Sequence, residues 1–248
     1  MKERIWVRKF GGSDIRKITL SELLGRKLNE FEEKYAPQVL FVAGSMKIPL
    51  PEPRVSVIGT RKPSPEGIKA TSKITKVLVD KKVIVVSGLA KGIDTIAHKT
   101  AIESGGKTIA VLGTPLNRFY PAENRPLQEL IMREHLAVSQ YPVGYITKPK
   151  HFVLRNRTMA LISNASIIVE AGKSSGVISQ GWETLRLGRP LFFWKLLVEK
   201  DIEWVNEMIK YGACVLRNIN DLKRAIRELI PPPMEEHPKA ELRLIDVA

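Results

Sequence analysis

Seven short, continuously apolar segments separated by helical stretches predict an α/β fold with a doubly wound, mostly parallel sheet. Four of these segments run directly into glycine-bearing loops, as strands that end at a binding crevice do. At 248 residues and 44% hydrophobic content, the chain is long enough for one large domain with a sizeable core.

Residues 1–50 read as a short, mainly helical extension with a lead-in strand. Thr19–Tyr35 carries Leu20, Leu23, Leu24, Leu28 and Phe31 at close to i, i+3, i+4 spacing, with Ser21 the candidate cap. Gln38–Gly44 reads as a strand ending on glycine, and the proline-rich Pro49–Pro53 sets the boundary of the main domain, 51–230. Strand and helix then alternate. Val55–Ile58 is followed by GTRK, a proline turn and a helix over Glu66–Asp80. Val83–Val86 leads into SGLAKGID and a helix through Ser104, and Thr108–Leu112 into Gly113-Thr114 and a loop reaching Tyr120-Pro121. A helix over Arg125–Arg133 precedes the strand Leu136–Ser139. Ile167–Glu170 and Leu191–Phe193 are the next strands, followed by a helix over Asp201–Lys210, a strand at Cys214–Leu216 and a helix over Asp221–Leu229. Pro231–Pro233 stops the pattern and leaves a loosely held tail, 231–248.

Right-handed crossovers wind such strands into a Rossmann-like open sheet. The loops GTRK, SGLAKGID, GT and AGKSSG then converge at one end of it, placing Arg61, Ser87, Gly88, Lys173, Ser174 and Ser175 on a common surface, with Lys91 in the second loop. Glycines in these loops let backbone N–H groups and helix N-termini point at anions.

The net charge of +14 sits in the middle of the chain. Residues 54–140 hold 14 basic and 7 acidic side chains and residues 141–200 hold 9 and 3, whereas residues 201–248 hold 7 and 9. A concentrated positive field of this kind suits a polyanion. No apolar run approaches the ~20 residues of a membrane span, and the charged start MKERIWVRKFGG is unlike a signal peptide. A single cysteine, Cys214, permits no intramolecular disulfide or cysteine zinc site; it is expected as a small buried hydrophobe in a reducing, cytoplasmic compartment.

Several chemistries fail on spacing. Gly106-Lys107-Thr108 and Gly172-Lys173-Ser174 lack the upstream P-loop glycine, since Ala101 and Ile167 stand there, and no G-x-G-x-x-G follows a strand. His98, His135, His151 and His237 show no metal spacing, and G-x-S-x-G is absent. His98 is expected to contact Asp94 or to lie on a solvated face. Glu170 is expected either to orient a nearby arginine or to form a structural ion pair. The stretch His151–Gly176 holds the best anion-binding pattern: Phe152 for base stacking, then Arg155, Asn156 and Arg157 as a phosphate clamp, then the GKSSG loop.

VIGTRKPSPEG, VVSGLAKGIDTIAH, GGKTIAVLGTPLNRFYPAEN, HFVLRNRTMALIS and IIVEAGKSSG, in this order, resemble the DprA/Smf family of DNA-processing proteins from about Tyr35 to about Leu229. The resemblance implies a Rossmann-like dimer that holds single-stranded DNA in a basic pocket and delivers it to a RecA-type recombinase during transformation. It carries Arg61, Ser87, Gly88, Arg155, Arg157, Lys173, Ser175 and Gly176 into the DNA site. The full expected set is Arg61, Ser87, Gly88, Lys91, Phe152, Arg155, Asn156, Arg157, Lys173, Ser174, Ser175 and Gly176, with no catalytic residue, metal or cofactor. The acidic, proline-broken tail does not resemble the winged helix that often follows this core. Gly176–Glu183 (GVISQGWE) also resembles, in part, the PGGxGTxxE signature of lysine-decarboxylase-like phosphoribohydrolases. A nucleotide N-glycosidase and a non-catalytic nucleotide sensor are therefore the alternatives.

Overall fold

The structure, a computed structural model, describes residues 6–10, 13–51 and 53–229. The expected N-terminal start, residue 52 and the expected tail lie outside them. The described strands are β1 (Trp6–Phe10), β2 (Ser13–Ile18), β3 (Leu40–Gly44), β4 (Arg54–Ile58), β5 (Ile84–Ser87), β6 (Thr108–Leu112), β7 (Leu136–Ser139), β8 (Ala165–Ile168), β9 (Leu191–Trp194) and β10 (Cys214–Leu216). They form one sheet in the order β1-β2-β3-β7-β6-β5-β4-β8-β9-β10. From β7 to β10 every pairing is parallel, and β1–β3 extend the β7 edge as an antiparallel ladder.

Each strand from β4 to β9 is buried on both sides, with alternate residues feeding opposite faces. Ile58, Val86 and Val111 point into one layer, with α6 (Lys150–Ile162), α7 (Val177–Arg186), the short α8 (Lys195–Val198) and α9 (Glu203–Lys210). Val55, Val57 and Val85 point into the other, against α3 (Pro65–Asp80), α4 (Ile93–Glu103) and α10 (Ile219–Leu229). Beside that layer, α5 (Arg125–Glu134) covers Ala110, Leu112 and Ala137.

The N-terminal segment departs from the helical extension expected. Two of its strands were not foreseen, and the single helix over Thr19–Tyr35 is two short ones, α1 (Leu20–Leu24) and α2 (Glu30–Tyr35). Each starts at its own capping box, Thr19 with Glu22 and Asn29 with Glu32, and Gly25 at φ 70° closes the first in the left-handed region. Ser21 is a helix residue, not the cap. Leu20, Leu23, Leu24, Leu40 and Val42 share one core cluster with Ile58 and Val86. The proline-rich segment therefore marks a change from antiparallel to parallel topology within a continuous core.

Two helices, α6 and α7, go beyond the sequence expectation. In α6 (KHFVLRNRTMALI) polar and apolar residues are buried together, His151, Arg155, Asn156 and Thr158 among them, so no apolar stripe marks it as a helix. Cys214, expected buried, is exposed on β10, whose only strand partner among the described residues is β9. His98 is fully buried, and its Nδ1 shares a hydrogen bond with Thr108 Oγ1 at 2.7 Å, in place of the expected Asp94 contact or solvated face. Burial, reinforced by positive charge on His135 and Arg155, pushes it down to about 3, so it is neutral in the fold.

Candidate nucleic-acid interface

The chain leaves β4 toward β5 on one side and returns to β8 on the other, so the loops at the carboxyl ends of the central strands part there. At the amino end of α3, Glu170 fills the crevice. Its Oε2 accepts from Ser64 N–H at 3.0 Å and Ser64 Oγ–H at 3.1 Å, and its Oε1 pairs with Lys200 Nζ at 2.8 Å. Burial raises the Glu170 pKa, but Lys200 and Ser64 outweigh it and hold the carboxyl below its ordinary value. Of the two expectations for Glu170, the ion pair is the one formed, and its partner is a lysine. A carboxylate at this helix N-terminus repels phosphate from the position that a mononucleotide would take in a Rossmann-like sheet.

The basic surface lies one loop away. Arg61, Gly88, Ala90, Lys91, Tyr120, Pro121, Phe152 and Arg155 line a cleft of about 50 Å³. They come from the loops after β4, β5 and β6 and from the first half of α6.

Arg155 forms the floor of this cleft and is 7% exposed. Its Nη1 donates to Gly88 O at 2.5 Å and Val111 O at 2.6 Å, and its Nε donates to Asn156 Oδ1 at 3.1 Å. Gly88 is required for this approach, because a Cβ there would run into the guanidinium. Asp94 completes the buried group, its Oδ2 accepting from Gly88 N–H at 3.1 Å and Ala90 N–H at 3.4 Å. Burial raises the Asp94 carboxyl against the charge of Arg155, and burial lowers Arg155 against the charge of Asp94. Arg155 thus braces β5, β6 and α6 together and lends positive potential to the cleft from below.

The accessible groups above this floor are cationic and aromatic. Arg61 is exposed. Lys91 pairs with Glu123 at 2.7 Å, but both side chains are more than half exposed, and such a pair yields readily to a phosphate. Phe152 is seated on Gly113, where a Cβ would meet the ring at 2.6 Å, and its centroid lies 5.1 Å from that of Tyr120. The Tyr120 loop is tied down by Asn124, whose Nδ2 donates to Leu89 O at 2.9 Å and Thr95 Oγ1 at 2.8 Å. Leu89 holds φ 57°, a left-handed conformation that few non-glycine residues adopt.

Other residues expected at the site point elsewhere. Arg155 and Arg157 do not form one clamp, because residues two apart on a helix face different directions. Arg157 turns to α7, where its Nε and Nη2 bond Glu183 at 3.1 Å each and its guanidinium stacks 4.8 Å from the Tyr35 ring. Ser87 is fully buried and donates to Val57 O at 2.7 Å, so it is a bond within the sheet and not a surface donor. Asn156 donates to Gly176 O at 3.0 Å and Ser179 Oγ at 2.7 Å, fastening the GKSSG loop to α6. On that loop Lys173, Ser174 and Gly176 are exposed and Ser175 is half-buried. The expected set therefore divides: Arg61, Gly88, Lys91, Phe152 and Arg155 meet in the cleft, and Lys173–Gly176 form a second loop tethered by Asn156.

The sequence reading does not single out Tyr120, Pro121 and Ala90, which line the cleft, or Asp94, which is buried under the Gly88–Ala90 backbone. The signal was present in FYPAEN, where an exposed tyrosine precedes the asparagine that anchors the loop. A larger open concavity of about 410 Å³ lies along α9, but Asp201, Glu203 and Glu207 line it and would repel phosphate. No group of three metal-ligating side chains occurs among the described residues, and no described helix is long and apolar enough to cross a membrane.

Residues 21–227 match the family model described as DNA recombination-mediator protein A. DNA processing protein DprA of Streptococcus pneumoniae is 41% identical over 157 residues, covering 63% of this chain and 55% of the relative. Protein Smf of Synechocystis is 44% identical over 173 residues, covering 68% of this chain and 43% of the relative. The chain thus spans about half the length of these curated relatives. Among solved structures, DNA processing protein A from Helicobacter pylori, studied for a unique single-stranded DNA binding mode, superposes with a TM-score of 0.73 at 26% identity, covering 86% of this chain and 97% of that one. The sequence blocks, the doubly wound sheet and the matched span agree: this chain belongs to the DNA recombination-mediator protein A family.

Proposed function

We propose that this chain binds single-stranded DNA in the cleft between Arg61, Lys91 and Phe152, without catalysis or cofactor, and acts as a cytoplasmic homodimer that delivers the strand to a RecA-type recombinase. The observation that carries the reading is the cleft itself: two exposed cations flank an accessible aromatic pair above a buried guanidinium. Phosphates sit on Arg61 and Lys91 and continue to Lys173 and the amides of the GKSSG loop, while a base stacks on Phe152. Delivery extends this through the family resemblance, supported by the family's description as a recombination mediator, and dimerisation rests on the resemblance alone. The phosphoribohydrolase alternative needs Glu183 as a free carboxylate, and here it is shared between Arg157 and Arg186.

The test is a titration of labelled oligo-dT against duplex and AMP at rising salt. Three neutralised phosphates give a log–log slope of about −2 at roughly −0.7 each, and Arg61→Ala with Lys91→Ala removes about 1.4 of it. Salt-independent affinity, or equal affinity for duplex, would overturn the proposal.

A further inference from the structure

We propose that Tyr120 and Phe152 close on the two faces of one unstacked base, and that this clamp makes the cleft selective for single strands. The inference rests on the single-stranded DNA reading and assigns Tyr120 a role within it.

Phe152 packs against Gly113, where a Cβ would come within 2.6 Å of the ring, and lines the cleft. Tyr120 lies against it, centroids 5.1 Å apart at a 46° tilt, yet is itself 48% exposed. An open aromatic pair at the surface has no packing reason to stay uncovered, whereas a ring that must move aside has one. Stacking on both faces of a base needs two spacings of about 3.5 Å, so the ring centroids must part to about 7 Å and turn near parallel. That is an opening of about 2 Å, within reach of side-chain rotation alone. The backbone does not have to follow. Thr114 Oγ1 donates to Arg118 O at 3.1 Å on one side of Tyr120, and Asn124 anchors the loop on the other. Arg61 and Lys91 line the same cleft and are placed to take the phosphates on either side of the held base. A base with both faces occupied by protein has left its own stack, which a strand without a partner allows and a duplex resists.

The experiment compares oligo-dT with an abasic oligonucleotide of equal length, which keeps the phosphates and loses the bases, against wild type, Tyr120→Ala and Tyr120→Phe. Tyr120→Ala is expected to weaken oligo-dT binding by about 5- to 150-fold, leave abasic binding and the salt slope unchanged, and retain the wild-type melting temperature. Tyr120→Phe keeps the ring and stays within about twofold of wild type. An equal loss on both oligonucleotides, or no loss, overturns the clamp. The wild type alone also decides. If it binds the two equally, the clamp fails while the phosphate reading stands; if it binds neither, the single-stranded DNA reading fails and the clamp with it.

Discussion

Replacing Arg155 with methionine separates a structural arginine from a ligand-binding one. Methionine keeps much of the buried volume and removes the charge. Two carbonyls, Gly88 O and Val111 O, lose a charged donor at 2.5 and 2.6 Å, and Asp94 is left buried without its nearby positive charge. Hydrogen bonds to charged groups contribute about 1.5–3 kcal/mol each, and a carboxyl left buried without its nearby counter-charge adds to the loss. We expect a loss of about 3–5 kcal/mol, which for a chain of this size is a fall of about 10 °C in Tm. Urea unfolding and thermal melts read this directly, with Arg61→Ala as the control that leaves stability unchanged because Arg61 is exposed. Asp94→Asn in the Arg155→Met background should recover part of the loss by removing the stranded charge. A Tm unchanged within about 2 °C, with DNA binding lost, would refute the bracing role and return Arg155 to the solvent-facing clamp.

His98 and Glu183 provide two more tests. His98 is depressed from 6.5 to about 3 in the fold, so its contribution to stability is complete above pH 6.5 and falls as the pH drops toward 3, because the unfolded chain takes the proton first. Two pH units below 6.5 this amounts to about 2.7 kcal/mol, so His98→Gln should shrink the difference in unfolding free energy between pH 7 and pH 4.5 by about that amount; an unchanged difference would mean that His98 titrates normally. Glu183→Gln breaks the contacts to Arg157 and Arg186 and should lower stability by about 1–2 kcal/mol without altering oligo-dT affinity. Release of base from nucleoside monophosphates by the wild type, abolished in this variant, would instead support the phosphoribohydrolase alternative.

The departures from expectation share a physical cause. Thr19–Tyr35 has the spacing of a single helix, but Gly25 and a second capping box split it. In α6, burial on more than one side erased the stripe that betrays a helix, so Arg155 and Arg157 were paired by proximity in sequence when the helix sends them apart. Glu170 found Lys200, thirty residues on, because the two meet where β8 ends; nothing in the local sequence specifies that partner.

By itself the sequence determined the strand-and-helix alternation, the parallel class, the glycine loops and the concentration of charge, since each depends on local backbone preference and on composition. It also brought Arg61, Gly88 and Lys91 to one end of the sheet, because a loop that follows a parallel strand emerges there, and it offered Phe152 through its place beside the arginines of HFVLRNR. Only the tertiary structure decided which arginine is buried, which carboxylate blocks the crevice and which aromatic meets Phe152. Those outcomes depend on side-chain direction and on packing between segments far apart in the chain, as with Tyr120 and Phe152, whose rings meet across the loop after β6 and the first turn of α6.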